Sequence, residues 1–134
     1  MRRGPVRVLV VDDQSTFREA ASATIAVTPD FVLAAEATSG EAALALVAQG
    51  DVDLVLMDVN MPGIGGVTAA RELRRAHPGL AVVLLSTYDP DCLPEEILRS
   101  GVRYLHKERF GPAALGRLAH DLLSGQSSDH ADSP

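Results

Sequence analysis

The chain has 134 residues and a formal net charge of −6. Its length fits one domain with a real core that needs no metal or disulfide staple, and its acidic balance argues against direct binding to a nucleic-acid backbone, which requires an excess of Lys and Arg. Hydrophobic residues are 46% of the chain and aromatics only 4%, so the core is aliphatic. The one cysteine, Cys92, excludes an internal disulfide and suits a reducing compartment. No run reaches about 18 apolar residues, and no apolar stretch follows the charged start Met1 to Pro5, so a cytoplasmic protein without membrane contact is expected.

In chain order, Arg7 to Val11 reads as a first strand, apolar after its arginine and ended by Asp12-Asp13. A helix follows from Ser15 or Thr16 to Val27, with Thr16 and Glu19 at capping-box spacing. Phe31 to Ala37 is a weaker second strand. Thr38-Ser39-Gly40-Glu41 has the form of another capping box and opens an Ala/Leu-rich helix that stops at Gly50. Leu54 to Met57 is four apolar residues in a row, closed by Asp58, and predicts a central strand buried on both faces. Gly65-Gly66 lead into a third helix over Val67 to Ala76. Leu80 to Leu85 is strand four, ended by Ser86-Thr87. A fourth helix is expected from near Leu93 to Ser100, because Pro90 and Pro94 are tolerated only at its start. Tyr104 to His106 is a short fifth strand, ended by Lys107. Gly111-Pro112 open a fifth helix with Leu115, Leu118, Ala119, Leu122 and Leu123 on one face. Residues 1–123 are expected to form the domain, and the Ser/Asp-rich residues 124–134 a disordered polar tail.

Five alternating βα units demand a parallel sheet with right-handed crossovers. The two unbroken apolar strands, one and three, belong at its centre. That is the doubly wound α/β architecture with order 2-1-3-4-5, as in flavodoxin-like proteins, whose ligands bind at the carboxyl ends of the strands. There the first strand brings Asp12 and Asp13, the third Asp58, the fourth Ser86 and Thr87, and the fifth Lys107. Singly, each has a plainer reading: a helix-terminal acid, a turn, a solvated lysine. Asp58 is a poor cap, because Asn60, Met61 and Pro62 intervene before any helical pattern. Strands about 4.8 Å apart pack three carboxylates into one corner, where each close pair repels by roughly 4 kcal/mol at an effective dielectric near 20. A divalent cation removes that conflict, and oxygen ligands without His or Cys select Mg²⁺, with Mn²⁺ or Ca²⁺ possible in its place. Mg²⁺ recruits phosphate oxygens, a carboxylate can act as nucleophile to give an aspartyl phosphate, and Lys107 and Ser86 are suitable donors for the phosphoryl oxygens.

The segments Val8 to Gln14, Leu54 to Gly63, Val82 to Asp89 and Tyr104 to Lys107 together resemble bacterial response-regulator receiver domains, in the CheY-like superfamily and nearest the NarL/FixJ-type branch. The likeness covers residues 6 to 123. It implies a phosphoacceptor of two-component signal transduction that is not a turnover enzyme. By that likeness Asp58 accepts the phosphoryl group from a sensor histidine kinase. Asp12 and Asp13, with Asp58 and the backbone carbonyl of Asn60, hold Mg²⁺ directly or through water. Ser86 is the switch hydroxyl, Lys107 pairs with the phosphoryl oxygens, and Tyr104 is the aromatic switch partner. The resemblance also implies that an output partner, or a second copy of the chain, docks on helix four, strand five and helix five.

Departures from the family pattern fall near that output face and the loop after strand three. Gly65 stands where Asp is usual, the segment before Tyr104 is one residue short, Glu108 follows Lys107 where many members have a cis-proline, and Pro94 interrupts helix four. Two enzyme or cofactor readings fit less well. An FMN-binding flavodoxin needs a phosphate loop after strand one, and Asp12-Asp13 would repel that phosphate. A haloacid-dehalogenase-type phosphatase needs an acid two residues after its nucleophile, where Asn60 stands. The remaining alternative is a phosphorylation-independent receiver-fold interaction module.

Overall fold

The computed structural model describes residues 4–87, 95, 99, 101–118, 120 and 121. Strands β1 (Val6–Val11), β2 (Phe31–Ala37), β3 (Leu54–Asp58), β4 (Ala81–Ser86) and β5 (Arg103–His106) form one parallel sheet in the order β2-β1-β3-β4-β5. Helices α1 (Ser15–Ala26), α2 (Gly40–Ala48) and α3 (Gly65–Ala76) alternate with the strands, and a C-terminal helix runs over residues 112–118. The predicted α/β class and strand order are those of the structure.

The period-two alternation of each strand sorts its side chains into two layers. Leu9, Val11, Val55 and Met57 pack with Ala43 and Val47 of α2 and with Ala69, Ala70 and Leu73 of α3. Val8, Val10, Leu54 and Leu56 pack with Ala21 and Ile25 of α1 and with Leu115 of the C-terminal helix. Both faces of β1 and β3 are therefore covered, which is why their sequences lack polar alternation. Fully burying one such aliphatic side chain contributes about 1.5–3 kcal/mol.

The caps of two helices and the start of a third differ from the sequence reading. Helix α1 begins at Ser15 with Gln14 as a cap residue whose side chain makes no capping bond, so Thr16 and Glu19 lie inside the helix and do not form its box. Asp12 does that work instead, its Oδ1 accepting the Gln14 N–H at 2.9 Å. Helix α2 is capped by Ser39, whose Oγ accepts the Ala42 N–H at 3.1 Å. Glu41 does not reach back to this cap; its Oε2 accepts the Ile64 N–H at 3.3 Å, across 23 residues of chain. Helix α3 starts two residues before the predicted Val67, at Gly65. Gly65 has φ +80°, and a Cβ on Gly66 would collide with the carbonyl oxygen of Asp58. The glycine pair is part of the helix because its first turn lies against the end of β3.

Strand β5 begins at Arg103, one residue before the predicted Tyr104. The peptide bonds of the described residues are all trans, and Glu108 sits in a 3₁₀ turn over Lys107–Arg109. Of the predicted fourth helix only Glu95 and Arg99 are described; the Arg99 N–H donates to the Glu95 carbonyl at 3.1 Å, an i,i+4 bond. Pro94, Ala119, Leu122, Leu123 and the predicted tail 124–134 lie outside the described residues. No helix among the described residues is long and apolar enough to cross a membrane.

Candidate functional site

The predicted strand-end residues converge at the carboxyl edge of β1 and β3. Asp12 continues β1 by one step, its N–H donating to the Ala37 carbonyl at 3.0 Å. It is fully buried. Its backbone carbonyl accepts from Arg18 Nη1 at 2.8 Å, and Arg18 Nε donates to Glu36 Oε1 at 3.1 Å. Asp12 is thus fixed by β2, by the first turn of α1 and by a guanidinium anchored on the neighbouring strand. Asp13, next in the chain, is exposed.

Asp58 closes β3 and is buried. One oxygen from each of Asp12, Asp13 and Asp58 lies within 4.8 Å of the others. Lys107, first residue after β5, enters this cluster from the far side of β4. Its Nζ is 2.7 Å from Asp12 Oδ2 and 3.1 Å from Asp58 Oδ1, with the lysine side chain only 14% exposed. The ammonium also stands over the ring of Phe17, 4.6 Å from its centroid. Asp12 Oδ2 is buried, with the Lys107 ammonium as its neighbour at 2.7 Å; a carboxylate oxygen carries two lone pairs, so one remains for another hard cation.

The charges explain the titration of the site. Burial raises the Asp58 carboxyl above its ordinary value; the hydrogen bond from Lys107 opposes that shift, and the negative charges of Asp12 and Asp13 add to it. Burial works against the Lys107 ammonium, but its bonds to Asp12 and Asp58 outweigh burial and hold its pKa above the usual lysine value.

Ser86 closes β4, buried, one residue beyond the register partner of Asp58. Asn60 lies exposed in the loop two residues past Asp58. Tyr104 is partly buried against the α2–α3 layer, away from Phe17 and Lys107. Its hydroxyl is buried and has no hydrogen-bond partner among the described residues. At this edge of the sheet, Arg103, Tyr104, Leu105, Ala114, Arg117 and Leu118 line an open groove between β5 and the C-terminal helix.

Four contributors went unnoticed in the sequence. Arg18 and Phe17 reach the site from α1. Glu41 tethers the loop after β3. His106 orders the turn that carries Lys107: its Nδ1 accepts the Glu108 N–H at 3.2 Å, so Nε2 bears the hydrogen that it shares with the Thr87 carbonyl at 3.0 Å. A strand-ending histidine was the only sequence signal for the last of these; the others gave none.

Comparison with known proteins agrees with this arrangement. The family model described as the response regulator receiver domain matches residues 8–117. The transcriptional regulatory protein DegU of Brevibacillus brevis is 36% identical over 111 residues, covering 82% of this chain and 47% of that protein. The response regulator GacA of Pseudomonas viridiflava is 35% identical over 121 residues, 90% of this chain and 56% of that one. Among solved structures, the signal receiver domain of the Mycobacterium tuberculosis protein NarL superposes with a TM-score of 0.80 at 28% identity, covering 92% of this chain and 99% of that one. The chain spans about half the length of the curated relatives it matches.

Proposed function

Because the chain belongs to the response regulator receiver domain family, in its NarL/FixJ branch, we propose that it is the phosphoacceptor of a two-component system and that Asp58 takes the phosphoryl group from a sensor histidine kinase. One observation carries this reading. Asp58, at the end of the central strand, has a lysine ammonium at 3.1 Å and two further carboxylates within 4.8 Å.

In the transfer, an ionised Asp58 oxygen attacks phosphorus, the bond from phosphorus to the donor histidine nitrogen breaks, and the imidazole leaves with the electron pair. The attack needs the anionic carboxylate, and burial opposes that form. Lys107 counters the penalty before transfer and afterwards pairs with a phosphoryl oxygen. The Ser86 hydroxyl donates a charge-assisted hydrogen bond to another. Asp12, Asp13 and Asp58, with the Asn60 backbone carbonyl, would hold Mg²⁺, or Mn²⁺ or Ca²⁺ in its place; the spare lone pair on Asp12 Oδ2 and the all-oxygen donor set fit such an ion. The bound cation offsets negative charge on the phosphoryl group.

Movement of Ser86 toward the phosphoryl group frees space beside β5, and Tyr104, whose hydroxyl has no partner among the described residues, is poised to move with it. The groove beside β5 is then the surface that an output partner or a second copy reads. The name of one relative, a transcriptional regulatory protein, points to transcriptional output in a whole protein, while a net charge of −6 disfavours nucleic-acid binding by this chain.

Incubation with acetyl phosphate and Mg²⁺, followed by intact mass, tests the reading. Wild type gains one phosphoryl group and the Asp58→Asn variant none. Equal labelling of the variant overturns the assignment, and no labelling of wild type leaves the phosphorylation-independent interaction module.

A further inference from the structure

Two of the chain's three phenylalanines, Phe17 and Phe110, meet at the site. In a chain with 4% aromatics and an aliphatic core, that concentration needs a reason. Their rings are 5.7 Å apart and tilted by 53°. The Phe110 N–H donates to the Lys107 carbonyl at 3.2 Å, and the Phe17 ring lies 4.6 Å from the Lys107 ammonium. The contacts close a ring: Lys107 backbone to Phe110, Phe110 to Phe17, and Phe17 back to the Lys107 head group.

An ammonium has three hydrogens. Asp12 and Asp58 occupy two directions, at 2.7 and 3.1 Å. The aromatic face occupies a third, and its quadrupole attracts the cation. A lysine stem with four rotatable bonds would otherwise be free to leave the cluster for solvent.

We propose that Phe17 is a positioning residue for phosphoryl capture: its ring face, braced by Phe110, holds the Lys107 ammonium where it bridges Asp12 and Asp58 and later meets a phosphoryl oxygen. This rests on the reading of Asp58 as phosphoacceptor. A phenyl ring has no group that can take part in the transfer, so Phe17 acts through the lysine. A leucine at 17 would keep apolar packing and lose the π face; a tyrosine would keep both.

The test uses the whole chain as wild type, Phe17→Leu, Phe17→Tyr and, as control, Lys107→Ala. Beryllofluoride affinity is measured in saturating Mg²⁺, and the setting of the Lys107 head group is read from the NMR chemical shift and line width of its side-chain ¹³Cε at one pH. Phe17→Leu is expected to weaken beryllofluoride binding about threefold to tenfold and to move the Lys107 ¹³Cε resonance to the sharp position of a solvated lysine. Phe17→Tyr restores both. If Phe17→Leu equals wild type, or if Phe17→Tyr is as impaired as Phe17→Leu, the ring is packing only and the proposal falls. If wild type itself ignores beryllofluoride, the phosphoacceptor reading fails, and the Lys107 ¹³Cε resonance alone then decides whether Phe17 holds the ammonium.

Discussion

Replacing Asp58 by Asn should stabilise the metal-free protein while removing most of the stabilisation that Mg²⁺ gives. The Asp58 carboxylate faces two like charges within 4.8 Å, each worth about 3.5 kcal/mol of repulsion at an effective dielectric near 20. Against these stands Lys107 at 3.1 Å, an attraction of about 5 kcal/mol on the same scale. Screening of the exposed Asp13 brings the opposing sums close to balance, and burial of a side chain only 9% exposed decides the sign. The neutral amide is therefore favoured by on the order of 1–2 kcal/mol, several degrees in Tm for a domain of this size. The Asp58 carboxyl is raised in the folded state, so its ionised form costs stability above that raised pKa. The advantage of Asn is full above the raised value and fades as pH falls through it. Thermal unfolding at pH 7 in EDTA and in excess Mg²⁺ reads both halves. Mg²⁺ at a hundredfold over its Kd adds about 2.7 kcal/mol to wild type and far less to the variant. A variant less stable than wild type in EDTA, or equal Mg²⁺ stabilisation of the two proteins, refutes the electrostatic account of the site.

Lys107→Met leaves Asp12 and Asp58 face to face and should cost about 3 kcal/mol in urea unfolding at neutral pH, while Mg²⁺ binds more tightly because a competing cation is gone. In wild type the Lys107 contribution is fully present below the ordinary lysine pKa and is lost as pH rises through its raised value, which an alkaline stability series will register. Gly66→Ala pushes a methyl group against the Asp58 carbonyl; about 1–3 kcal/mol of stability is expected to go, together with Mg²⁺ affinity measured by calorimetry. Ser39→Ala removes the α2 cap for about 1 kcal/mol and should leave Mg²⁺ affinity unchanged, separating general instability from damage to the site.

The central strands were legible because burial on two faces writes itself as an unbroken apolar run, as in Val8 to Val11 and Leu54 to Met57. The acidic trio and Lys107 followed from where those runs stop. Helix caps were misread for a physical reason: Thr16 with Glu19, and Thr38 with Glu41, have box spacing, but their partners are set by tertiary contacts. Glu41 is drawn to Ile64, and the Asp12 carboxylate takes the place of a cap for α1. Glycine's poor helix propensity made Gly65-Gly66 look like a loop, when close approach to Asp58 demands it there. Phe17 and Arg18 were invisible as site residues, since nothing in the α1 pattern says which of its side chains lean over the end of β1.

The sheet is hard on one side and soft on the other. All five residues of β3 are buried, while all four of β5 are only half covered, and β5 is hydrogen-bonded to β4 alone. Amide hydrogens of β1 and β3 should exchange with solvent only when the whole domain opens, and those of β5 through local fraying at far lower cost. Asp58 is anchored in the slow-exchanging half and Tyr104 in the fast one, with β4 and its terminal Ser86 as the seam between them. A stress applied at the carboxylate is therefore relieved at the edge, where the chain yields first.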